Sequence, residues 1–160
     1  MKYMWEGRFS KKVKQEVIDF TSSLDLDKQL AIYDIKGSIS HCKMLQKAGI
    51  LTSTESTKII KGLNTIQKEI EEKEFIFKNS DEDIHTAIER RLIEIIGKAG
   101  EKLHTARSRN DQVVLDEKLF VKDFLKSIIL EIENLQKTML TKSEETFPLI
   151  MSAYTHLQQS

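Results

Sequence analysis

Between Asn110 or Asp111 and about Glu145 the apolar residues Val113, Phe120, Phe124, Ile128, Ile132, Leu135 and Met139 recur at intervals of three, four and seven. Those are the intervals that place side chains on one stripe of an α-helix. A helix of about 35 residues is about 50 Å long, against about 12 residues for the helices of ordinary compact domains. A chain with such an element folds as part of a long bundle, or contributes the element to an oligomer core. Pro148 is expected to mark its end.

The rest of the chain reads the same way. One proline and six glycines in 160 residues leave little turn chemistry, and apolar residues recur by threes and fours rather than by twos, so the fold class is all-α. A helix is expected from Asp27, a good N-cap, to Gly49, a good C′ residue, burying Leu30, Ile35, Ile39, Met44 and Leu45. Thr52 and Glu55 have capping-box spacing and open a second helix with Ile59, Leu63, Ile66 and Ile70 inward. Glu74 to Asn79 reads as an extended connector. Ser80 or Asp81 then caps a third helix, with Ile84, Ile88, Leu92, Ile95 and Ile96 on one face, ended by Gly97 and Gly100.

Charge and cysteine content exclude several functions. Lys plus Arg and Asp plus Glu both number 25, so no global field favours nucleic acid or an acidic membrane, and an anion site must be local. Charges interrupt every apolar run well short of the ~20 residues that span a bilayer. The single cysteine, Cys42, has no internal disulfide partner, and residues 1–9 include Trp5, Glu6 and Arg8 where a signal peptide needs an apolar run; a cytoplasmic location is expected. No GxSxG elbow, HExxH or clustered Cys/His pattern occurs, so neither a metal nor a cofactor is expected.

Three segments concentrate polar chemistry. In Asp81 to Glu89, His85 and Glu89 stand four apart on one helix side, with Asp83 just upstream; helix capping with a surface ion pair is the plain reading, acid/base work the functional one. In Lys102 to Asp111, Arg107, Ser108, Arg109 and Asn110 precede a helix N-terminus, whose free N–H groups and positive dipole end attract an anion. Arginine forks bind carboxylates bidentately, so a small dicarboxylate suits the segment, whereas a capped turn with solvated arginines is the alternative. In Tyr154 to Gln159, His156 can exchange a proton near neutral pH and Thr155 or Gln158 can orient a substrate; otherwise the segment is a polar turn entering a further helix.

Read in order, Trp5-Glu6-Gly7-Arg8-Phe9, Asp19 to Ser23, Asp81 to Thr86, the run KLHTARSRNDQV and YTHLQQ resemble the argininosuccinate lyase family, over essentially the whole chain. The departures are Glu6 for a second glycine, Ala106 where glycine is common, and Ser152-Ala153 for Pro-Gly. The resemblance implies the all-α fold of the fumarase and aspartase superfamily, with residues 1–110 an N-terminal helical domain and residues 111–160 the truncated start of the central helix bundle. It also implies a homotetramer with active sites shared between subunits. The implied reaction is β-elimination of argininosuccinate to arginine and fumarate, in which oriented donors stabilise a developing aci-carboxylate.

Carried over by motif position, Ser23, Asn110 and Thr155 would bind the substrate, with Ser108, Arg109 and Gln158 beside them. His156 would be the acid/base histidine, and His85 with Asp83 would help to hold or polarise the substrate. The family's mobile serine loop, GSSxMPQKKNP-like, does not occur in this sequence, so the isolated chain is expected to be inactive. A noncatalytic structural homologue, as in lens crystallins, and another fumarate-releasing lyase such as adenylosuccinate lyase or aspartase are the competing readings.

Overall fold

The computed structural model describes residues 14–78 and 81–159. The Trp5 to Phe9 motif and the Ser80 cap candidate lie outside them. Six helices account for most of the described chain: α1 (Gln15–Thr21), α2 (Leu24–Asp27), α3 (Ala31–Lys47), α4 (Ser53–Glu71), α5 (Ile84–Ile96) and α6 (Arg109–Thr146). A 3₁₀ turn, Lys28–Leu30, joins α2 to α3, and another, Gly97–Lys102, follows α5. Tyr154–Thr155 (β1) and Gln158–Gln159 (β2) form a minimal antiparallel hairpin. The chain divides into two compact units at Phe120 and Val121, so α6 begins in the first and continues in the second.

In the first unit, α3 packs against α4, α4 against α5, and α3 against α5. Their shared core contains Ile35, Cys42 and Leu45 from α3, Ile59, Leu63 and Ile66 from α4, and Ile84, Ile88 and Leu92 from α5. Ile39, Ile70 and Ile96 pack at its edge. Met44, expected inside, is 46% exposed, because the inner stripe runs through Cys42 and Leu45 instead. Ile95, also expected inside, lies at the exposed margin for a similar reason: Leu92 and Ile96 take the inner face.

The turn between α3 and α4 follows directly from sequence. Gly49 adopts φ +76°, its N–H reaches Gln46 O at 3.0 Å, and Ile50 N–H reaches Leu45 O at 3.0 Å, which closes the helix in a Schellman motif. Thr52 and Glu55 then make the reciprocal capping box: Glu55 N–H donates to Thr52 Oγ1 at 3.2 Å and Thr52 N–H to Glu55 Oε2 at 3.0 Å. Where α4 crosses α5, Gly62 permits close approach, since a Cβ there would lie 2.6 Å from Leu92 Cδ1.

The cap of α5 differs from expectation. Asp83, not Asp81, is the N-cap, and its side chain accepts the Thr86 N–H at 2.6 Å. Asp81 is drawn inward by Arg90, whose Nε and Nη2 each donate to it at 2.8 Å with both residues buried. Such a bidentate pair outweighs a capping contact.

In the second unit, the α6 residues Phe124, Ile128, Ile132, Leu135 and Met139 are between 38% and 64% exposed. Their stripe is the one expected to need partners. The Tyr154 to Gln159 segment is a hairpin rather than a helix. Thr155 pairs with Gln158, and His156 (φ +48°) and Leu157 (φ +61°) form the two-residue turn between them. Positive φ at both central residues is the pattern of a type I′ turn, whose twist matches that of the flanking strands. Among the described residues no helix is long and apolar enough to cross a membrane.

Candidate active site

Two of the polar segments, Asp81 to Glu89 and Lys102 to Asp111, meet in the first unit, and the Asp19 to Ser23 segment joins them there. Ser23 N–H donates to the carbonyl of Glu82 at 3.1 Å and the Ser22 hydroxyl to the same carbonyl at 3.2 Å, which fixes the Asp19 to Ser23 segment against the start of α5. The Ser23 hydroxyl bonds Asp27. Next along the chain, the Asp83 carboxylate faces the Arg109 guanidinium at 3.3 Å.

Arg109 is the hub. Its Nη1 donates to Gln112 Oε1 at 2.8 Å and approaches Glu89 Oε1 at 3.4 Å, while Nη2 reaches Thr86 Oγ1 at 3.4 Å. Glu89 also lies 3.1 Å from His104 Nδ1. The start of α6 is capped locally: Asn110 N–H donates to Ser108 Oγ at 3.2 Å, and Ser108 N–H to Asp111 Oδ2 at 3.0 Å. Ser108 and Asn110 remain exposed. The surface therefore offers neutral donors at a helix N-terminus beside an arginine already turned towards carboxylates. This arrangement can recognise an anionic group, which must compete with Asp83 and Asp111.

His85 is placed differently. It is 1% exposed and lies behind that surface, with Nδ1 3.0 Å from Asp34 Oδ1 and 3.6 Å from Asp116 Oδ2. Gln112 Nε2 also donates to Asp34 Oδ1, at 2.5 Å. Burial pulls the Asp34 carboxyl up, but its bonds to His85 and Gln112 prevail and leave it below the ordinary range. Burial pulls His85 down, and the Asp34 bond outweighs it and raises the imidazole. Asp116 behaves oppositely: burial, with Asp34 beside it, pushes its carboxyl up to about 8. One atom each from Asp34, His85 and Asp116 lies within 4.8 Å of the others. The Arg107 guanidinium is close enough for its charge to act on both carboxyls.

In the second unit, Thr155, His156 and Gln158 are all exposed on the hairpin, with the Thr155 and Gln158 pair flanking the turn that carries His156.

Comparison with known proteins decides the family. A family model described as "Lyase" matches residues 7–160. The chain belongs to this lyase family. Its relatives include the argininosuccinate lyase of Sulfurihydrogenibium sp. (strain YO3AOP1), 48% identical over 159 residues that cover 99% of this chain and 35% of that protein. The argininosuccinate lyase of Aquifex aeolicus (strain VF5) is 46% identical over 160 residues, 100% of this chain and 35% of the relative. That of Azotobacter vinelandii (strain DJ / ATCC BAA-1303) is 48% identical over 154 residues, 96% and 33%. The chain thus spans about 35% of the length of the first two relatives.

As a lyase-family chain it also carries buried polar residues to which the motif segments assign no role. Asp34 sits on the inner stripe of α3 between Ala31 and Ser38, and Gln112 and Asp116 stand four apart on the buried side of early α6. The signal was available: an acidic residue at a position where helical spacing demands an apolar one. Ala106 holds φ +57° in the loop before α6, a left-handed conformation that glycine adopts at less cost.

Proposed function

We propose that the whole protein is an argininosuccinate lyase, releasing fumarate and arginine by β-elimination. The observation that carries this reading is the chain of contacts by which Ser23 is held on Glu82 and the neighbouring Asp83 faces Arg109 of the SRND segment, together with identities of 46–48% to proteins of that name over almost all of this chain. Elimination beside a carboxylate builds a second negative charge on that carboxylate, and oriented neutral donors stabilise it without reorganising. Ser23, Ser108, Arg109, Asn110, Thr155 and Gln158 are the proposed substrate-binding groups. His156 is the proposed acid/base, and His85 with Asp83 holds or polarises the substrate.

Residues 111–160 begin a central helix bundle in this reading. The exposed stripe from Phe124 to Met139 supports a homotetramer, since so much apolar surface on one helix face is characteristic of an interface. The equal numbers of acidic and basic residues support a small-molecule substrate rather than nucleic acid, and a cytoplasmic location is part of the same proposal. The test is fumarate formation, followed by ultraviolet absorbance, with argininosuccinate, adenylosuccinate and aspartate offered separately. Product from argininosuccinate alone is expected. Product from adenylosuccinate or aspartate instead would replace this reading with the corresponding lyase.

A further inference from the structure

Asp116 is fully buried, and neither carboxylate oxygen has a hydrogen-bond donor among the described residues. An ionised carboxylate in that situation carries a large desolvation penalty with no hydrogen bond to offset it. Its neighbours explain how the penalty is avoided. Asp34, 1% exposed, faces it from α3, and His85 Nδ1 lies 3.6 Å from Asp116 Oδ2 from α5. Arg107, from the loop before α6, donates to Ser38 Oγ at 2.9 Å through Nη1, while its Nη2 is a buried donor without an acceptor. A Cβ built on Gly37 would lie 3.3 Å from Asp116 Oδ1 and 3.4 Å from Arg107 Nη2, so both groups crowd the same point on α3. Gln112, on the same helix as Asp116, gives its amide to Asp34. Asp83 and Arg109 complete the charges around His85.

Two carboxyl groups this close in a dry site do not both ionise. We propose that Asp34 and Asp116 share one proton and act together as a positioning pair for His85: Asp116 is the neutral acid that donates to Asp34, and Asp34 is the carboxylate that receives the His85 Nδ1–H. The proton on Asp116 removes the unpaired charge that its two donor-less oxygens would otherwise carry, and the remaining negative charge on Asp34 feels Arg107. Fixing Nδ1 as the donor orients the ring and sets the tautomer, leaving Nε2 as the atom that can act on anything outside the pair. The protonation stands on this geometry alone, whereas its value to catalysis rests on the fumarate-releasing reading.

Isotope-edited infrared spectroscopy of the whole protein labelled with carboxyl-¹³C aspartate tests the pair. A protonated-carboxyl band at pH 7 that titrates away above about pH 8 is expected in the unmodified protein, and lost both in Asp116→Asn and in Asp116→Glu, whose new carboxyl carries no label. Absence of that band in the folded unmodified protein would overturn the proposal, and so would its survival in folded Asp116→Asn. The unmodified titration decides the matter even if neither variant folds. One equivalent of a divalent metal in the purified protein would also overturn it. For positioning, the His85 ring ¹⁵N shifts should report a proton on Nδ1 that Asp34→Asn perturbs, with kcat reduced by about tenfold or more and KM changed less. Unaltered His85 shifts in Asp34→Asn would refute the positioning role. An infrared band without any fumarate production leaves the pair standing and removes the lyase reading; fumarate without the band does the reverse.

Discussion

Arg109 Nε lies 3.3 Å from Asp83 Oδ2, joining the first residue of α6 to the N-cap of α5. That contact aligns the anion-attracting end of the long helix with the segment that receives Ser23. A lysine cannot reproduce the fork that also touches Gln112, Glu89 and Thr86. Arg109→Lys is therefore expected to lower kcat/KM for fumarate release by about tenfold or more while circular dichroism remains unchanged. Wild-type kinetics in this variant would show that Arg109 has no part in the reaction.

The buried Arg90 and Asp81 pair predicts a stability effect without a catalytic one. Arg90→Met leaves Asp81 uncompensated at 3% exposure, and a loss of about 3–5 kcal/mol in unfolding free energy is expected. Chemical denaturation measures it directly. A change below about 1 kcal/mol would mean that Asp81 is solvated or neutral once its partner is gone.

Backbone strain at Ala106 gives a prediction of opposite sign. With φ at +57°, the alanine Cβ sits in a region that costs non-glycine residues about 1–2 kcal/mol. Ala106→Gly should raise the unfolding free energy, by about 1 kcal/mol after the extra entropy of the unfolded glycine is counted. A lower denaturation midpoint would contradict the assigned loop geometry.

Much of this was legible in sequence, for identifiable reasons. The Gly49 turn and the Thr52 and Glu55 box are local chemistry, decided within four residues, and both formed as the sequence predicts. The choice between Asp81 and Asp83 as cap was not local, because Arg90, nine residues downstream of Asp81, settles it. The Tyr154 to Gln159 segment is too short to show a period, so its hairpin could not be separated from a helix start. The pair behind His85 was missed because residues 34 and 116 stand far apart in the chain, and only the packing of α6 against α3 unites them.

Protonation of the buried cluster sets a pH dependence. Asp116 is raised to about 8, so it holds its proton in the folded state over a range where the unfolded chain has released it. Its stabilising contribution is fully present below the ordinary aspartate pKa and is lost as pH rises to about 8, with a slope of up to about 1.4 kcal/mol per pH unit. His85, also raised, adds to the decline above its own unfolded pKa. Thermal unfolding midpoints should fall from pH 5 to about pH 8, and less steeply in Asp116→Asn. An identical slope in the variant would mean that the titration arises elsewhere.

The exposed stripe of α6 makes the 160-residue chain prone to associate. Ile128 and Leu135 are 38% and 60% exposed, and replacing both with glutamate should abolish concentration-dependent association in sedimentation velocity. Association that persists in the double variant would locate the contact elsewhere.

On the proposed mechanism the hairpin histidine, His156, transfers a proton during argininosuccinate cleavage. Single-turnover formation of fumarate by the whole protein, compared between the unmodified form and His156→Asn, tests it most directly. Fumarate is expected from the unmodified protein, with a loss of about a hundredfold or more in the chemical step of a folded variant. Equal rates in the two would contradict it.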